Sequence, residues 1–137
     1  MKALQIIILI FSLAITTSSC NKDINAININ LTASMLMDKT WFLDYRQSVN
    51  LNQTYVGQST YFISFYKDNT TVDSDGNKGI YSILSSNKQL QIIMNTKTIK
   101  GNDLDYSYQV ISVGESNLIL SFFFNGQITK MFFSTKK

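Results

Sequence analysis

Few side chains in this sequence are equipped for chemistry, and the missing types are as informative as those present. There is no histidine, which removes Ser-His-Asp and Cys-His nucleophilic machinery and every imidazole-based metal site. Asp103 and Asp105 stand two positions apart, the spacing that puts both carboxylates on one face of a strand, where a pair can do acid and base work. The plainer reading is two solvated acids at the start of a strand. Asp73, Asp75 and Asn77 in DSDGNKG place oxygen ligands at alternate positions, as a calcium loop does, but the bidentate acid that closes such a loop is missing, Glu115 lying far along the chain. A hairpin turn built from turn-forming residues accounts for the same string. No glycine-rich phosphate loop occurs either. The expectation is a protein that is not an enzyme and carries no metal or cofactor.

Cys20 is the only thiol. Before it come Lys2, the apolar stretch Ile6 to Phe11 with Leu13, Ala14 and Ile15, and the small polar run Thr17, Ser18, Ser19. This is a charged lead, a short apolar core and a small-residue cleavage site. The core spans roughly ten residues, well short of the ~20 that a helix needs to cross a bilayer, so residues 1–19 are read as a removable signal peptide. The segment TSSC resembles the lipobox of bacterial lipoproteins, which implies that Cys20 becomes the first mature residue and is acylated, palmitate being the expected kind of chain. Ordinary cleavage leaving a free thiol is the alternative. A lone thiol in an exported protein otherwise has no disulfide partner. Two or more acyl chains at Cys20 make a stable anchor, and the expected location is the bacterial cell envelope, lipid-anchored, on the periplasmic or surface face of an outer membrane.

The net charge is only +3, and no basic run exceeds Lys136-Lys137, so a nucleic-acid partner is not expected. After the signal, residues 20–37 read as a lipidated tether, with a short helix over Leu31 to Met37. Residues 38–137 form a single domain.

From Thr40 onward the pattern is that of strands: Thr40 to Gln47, Ser59 to Tyr66, Thr70 to Asp73, Gly79 to Leu84, Gln89 to Asn95, Leu104 to Val113, Asn117 to Phe124 and Gln127 to Thr135. Short turn-forming strings separate most of them, and Asn125-Gly126 is the strongest hairpin signal. Neighbours are therefore antiparallel. The fold class is all-β: an eight-stranded antiparallel up-and-down barrel, closed on itself, with room for side chains or one small ligand. Two links are long, Ser48 to Gln58 and Thr96 to Asp103, and in an up-and-down arrangement both emerge at the same rim.

Thr40-Trp41 after a short lead-in, the FYKDNTTV hairpin (Phe65 to Val72), GIYSI (Gly79 to Ile83) and the terminal apolar strand pair together resemble the small lipocalin-like domains of bacterial lipoproteins. The resemblance covers residues 36–135 and implies a calycin-type barrel with an apolar cavity on a lipid anchor. With Trp41 pointing inward, alternation sends Leu43, Tyr45, Tyr61, Ile63, Phe65, Tyr81, Ile83, Leu90, Ile92, Met94, Tyr106, Tyr108, Val110, Leu118, Leu120, Phe122, Phe124, Met131 and Phe133 inward too. Most of these are expected to be plain core. The cavity candidates are Tyr45, Tyr61, Ile63, Tyr81, Ile92, Met94, Tyr106, Tyr108, Phe122 and Phe124, the phenols supplying polar handles among apolar walls. Because Phe122, Phe123 and Phe124 are consecutive, at least one faces outward. Ile119, Phe123 and Phe132 form an outer apolar patch, expected to be covered by the helix at residues 31–37 or else by a partner.

Two functions follow. One is a membrane-anchored barrel that binds a small hydrophobic or amphipathic ligand. The other is a cell-envelope protein-protein interaction module with a filled barrel and no ligand.

Overall fold

The computed structural model describes residues 20–135 apart from 56–60, 88 and 125, with side chains from residue 28 onward except that of Phe124. The expected signal peptide and the side chains of Cys20 and Phe124 lie outside the described residues.

A helix, α1 (Cys20–Leu36), precedes nine strands: β1 (Lys39–Ser48), β2 (Leu51–Thr54), β3 (Phe62–Phe65), β4 (Thr70–Asp73), β5 (Lys78–Ser86), β6 (Gln89–Lys97), β7 (Asp103–Val113), β8 (Asn117–Phe124) and β9 (Gln127–Ser134). From β3 to β9 each strand pairs antiparallel with the next, and β1 pairs with both β3 and β9, closing an eight-stranded barrel. This is the architecture expected from the alternation. The ninth strand, β2, lies inside the segment expected to be a long loop. It pairs with the second half of β1 (Tyr45 with Thr54 to Ser48 with Leu51), while β3 pairs with the first half. Tyr55 N–H donates to Asp44 O at 2.7 Å and Leu43 N–H to Tyr61 O at 3.0 Å. Thus β2 and β3 lie along one edge of β1. The other expected long loop is shorter than its sequence suggests, because β6 runs to Lys97 and β7 begins at Asp103.

α1 is longer than the short helix expected, and it lies elsewhere. Thr32 and Leu36, four apart on one face, are buried, and the helix packs against β5 and β7 at the end of the barrel where β1 begins. It closes the floor and does not cover the outer patch on β8 and β9. Asp38, at φ 55°, takes the left-handed conformation that ends helices, and its N–H crosses to Phe65 O at 2.8 Å. Trp41, fully buried, donates Nε1–H to the Leu36 carbonyl at 3.0 Å. Above this floor, Leu43, Ile63, Phe65, Tyr81, Ile92, Met94, Leu118, Leu120 and Phe133 fill the lower barrel. One backbone position near the start of β5 admits only glycine: a Cβ on Gly79 would collide with Asn95 O and Thr96 Cα.

Candidate functional site

Alternation breaks once in β1, and the break decides what faces the cavity. Leu43 pairs with Phe133, but the next partners are Tyr45 with Phe132 and Arg46 with Met131, so Asp44 is an extra residue in a β-bulge. One inserted residue exchanges the faces of everything after it. Tyr45 is therefore corrected from an inward to an outward residue: its ring lies against Phe132 at 5.6 Å, and its hydroxyl donates to Asn52 Oδ1 at 2.9 Å on β2. Arg46 takes the inward place.

The upper barrel holds a cavity of about 550 Å³. Its apolar walls are Leu43, Met131 and Phe122, and its phenolic walls are Tyr55, Tyr61, Tyr106 and Tyr108. The cavity opens sideways. β7 and β8 are paired from Gln109–Ser121 to Val113–Leu118, but Asp103 to Tyr108 have no partners on β8, and Phe122 to Phe124 pair only with β9. The two strands part above that point, and Asp105, Ser107 and Phe123 border the slot between them.

Of the cavity candidates, Tyr61, Tyr106, Tyr108 and Phe122 line this space. Ile63, Tyr81, Ile92 and Met94 belong to the packed core beneath it. The Tyr81 hydroxyl is already engaged, donating to Tyr66 O at 3.0 Å, and its ring meets Phe65 edge-on at 5.0 Å. The phenols of the cavity are placed differently. Tyr106 stacks on Tyr108 at 5.8 Å, Tyr108 meets Phe122 edge-on at 5.7 Å, and the hydroxyls of Tyr61, Tyr106 and Tyr108 make no hydrogen bond among the described residues. Burial pushes the Tyr61 and Tyr108 phenols well above their ordinary value, with further upward pressure from neighbouring tyrosines and Asp73, and Arg46 drawing Tyr108 partly back. These hydroxyls are neutral donors.

Arg46 is the residue that alternation misplaced. Its guanidinium carbon lies 5.6 Å from the centre of the Phe122 ring, and its Nε is buried with no hydrogen-bond partner. Among the described residues no carboxylate forms an ion pair with it. One signal in the sequence pointed to it: Arg46 is the only arginine, every other basic residue being lysine.

The acidic groups singled out earlier do something plainer. Asp73 accepts from Asp75 N–H and Asn77 N–H, each at 3.0 Å, and from Asn77 Nδ2 at 2.8 Å, all within the β4–β5 turn. Asp105 accepts from Asn95 Nδ2 at 2.8 Å, and Asp103 faces Lys97 at 3.7 Å. No cluster of three metal-ligating side chains occurs among the described residues. On the outside, Phe123 is 74% exposed and stands across from Ile128, which is 60% exposed. Ile119 and Phe132 line a shallow groove with Asp44.

No family model matches this sequence, and no curated protein matches it either. The chain is similar to a solved structure described as a lipocalin-like protein from Bacteroides uniformis, with 19% sequence identity over 74% of this chain and 99% of that one, at a TM-score of 0.46.

Proposed function

We propose that this protein is a binding barrel that holds one small hydrophobic or amphipathic ligand in its upper half, carried on a lipid anchor at Cys20 in the bacterial cell envelope. The observation that supports the binding role is the contrast between the two ends. The lower half, above α1, is filled by buried side chains, whereas the upper half keeps a cavity of about 550 Å³, within the size range of sites for small organic ligands. Apolar walls with a few uncommitted hydroxyls suit a ligand that is mostly hydrocarbon with a polar end. Support for the anchor is confined to the sequence: the short apolar leader and the lone cysteine after Thr17, Ser18 and Ser19.

Uptake of the neutral dye phenylnaphthylamine by the full chain, one molecule per barrel, is the expected result; no uptake overturns the carrier reading. Native mass spectrometry of protein purified from its own host tests the anchor. An acylated chain beginning at Cys20 is expected, and an unmodified chain beginning at Met1 overturns it.

The exposed pair Phe123 and Ile128 favours a second reading, in which the outer face of β8 and β9 contacts another envelope protein.

A further inference from the structure

Resting on the carrier reading, we infer that Arg46 is an anion anchor and that the ligand is a monoanionic amphiphile, an apolar body bearing a carboxylate. The Asp44 bulge turns the only arginine of the chain into the cavity. Arg46 is half-buried, and a guanidinium partly withdrawn from water against apolar side chains is stabilised by a group that answers its charge. Its guanidinium carbon lies over the Phe122 ring at 5.6 Å, which is a partial answer. No carboxylate pairs with it among the described residues, and its Nε is buried without a partner. A planar carboxylate matches the two terminal Nη groups with two parallel hydrogen bonds. The unengaged hydroxyls of Tyr61 and Tyr108 border the same space and, being neutral, can donate to a bound oxyanion.

The surroundings also set the charge. Asp73 and Asp75 act electrostatically on Tyr61 and Tyr106 from the β4–β5 turn, and Asp105 borders the slot. Asp73 is engaged within its own turn, so it does not neutralise Arg46, but its charge repels a headgroup. One arginine in a cavity that Asp105 also borders suits a single negative charge better than two. Leu43, Met131 and the ring faces then receive the apolar part. At about 30 Å³ per water-sized group, the cavity has room for on the order of 18 of them.

The test is displacement of bound phenylnaphthylamine from the full chain by decanoate, decanol and decyl phosphate. Decanoate is expected to displace the dye at roughly 10- to 100-fold lower concentration than decanol, the gain of a charge-assisted hydrogen-bonded pair, with the phosphate dianion weaker than decanoate. In Arg46→Gln the preference for decanoate over decanol is expected to vanish while dye uptake persists, and Arg46→Lys should restore part of it. Equal displacement by decanoate and decanol in the unaltered protein, or a preference that survives in Arg46→Gln, overturns the anion anchor but leaves the carrier reading standing. Failure of the unaltered protein to take up dye or either amphiphile overturns both.

Discussion

The indole Nε1–H of Trp41 donates to the backbone carbonyl of Leu36 at 3.0 Å, with both residues fully buried. This bond joins the last turn of the floor helix to the first barrel strand. Trp41→Phe keeps an aromatic ring but leaves a buried carbonyl unpaired, for which about 1–3 kcal/mol is expected, with the smaller ring adding to it. Leu36→Ala should cost about 2–5 kcal/mol through the cavity it leaves. The two changes share a contact, so a double-mutant cycle by urea denaturation should show a coupling of at least about 0.5 kcal/mol. Strict additivity would mean that the helix and the barrel are energetically separate.

Gly79→Ala probes the tight approach of β5 to β6. The added methyl collides with Asn95 O and Thr96 Cα, which are backbone atoms and cannot rotate away. A loss of roughly 1–3 kcal/mol or more is expected from the forced strand separation. An unchanged thermal midpoint would mean that the two strands part without cost.

The buried phenols predict an alkaline limit. Tyr61, Tyr81, Tyr106 and Tyr108 all have pKa values raised in the folded state above the ordinary phenol value of 10.0, desolvation being the leading cause for each. A group with a raised folded pKa binds more protons folded than unfolded, so stability is fully present below that ordinary value and declines as pH climbs past it. Urea midpoints should be flat up to about pH 9 and fall by about pH 11. Tyrosinate absorbance should show that part of the tyrosine complement ionises only as the protein unfolds.

Phe123→Ser combined with Ile128→Thr removes the exposed outer pair. Because neither side chain is packed, stability should move by no more than about 0.5 kcal/mol, read from the thermal midpoint. A larger loss would show that the pair is covered in solution, and sedimentation velocity on the same samples would report by what.

Much of the barrel was legible because strand alternation is a local signal. Trp41, Ile63, Phe65, Ile92, Leu118 and Phe133 all face the core as the two-residue period requires. The site was less legible because it depends on an irregularity. In TWFLDYRQ the alternation of Trp41, Leu43 and Tyr45 looks unbroken, and nothing in those residue types announces that Asp44 is skipped by the partner strand. The bulge is a property of the pairing with β9, more than eighty positions away, and so Tyr45 and Arg46 exchanged roles. The parting of β7 from β8 is equally non-local, following a second shift of register between Val110 and Ser112. Helix length was missed for a related reason. The Asn and Ile run before Leu31 has no helical stripe of its own, and the helix is tied down at its far end, through Leu36 and Trp41.

The slot between the upper halves of β7 and β8 has a kinetic consequence. A guest passing through it need not wait for the domain to melt, since the residues that determine global stability lie at the opposite end. Residence time would then follow the breathing of two strand edges, each still paired on its other side, and the amide hydrogens between Asp105 and Tyr108 that point away from β6 should exchange far sooner than those at Trp41 or Leu120. Under the proposed carrier role, loading and release would thus belong to a faster clock than unfolding does.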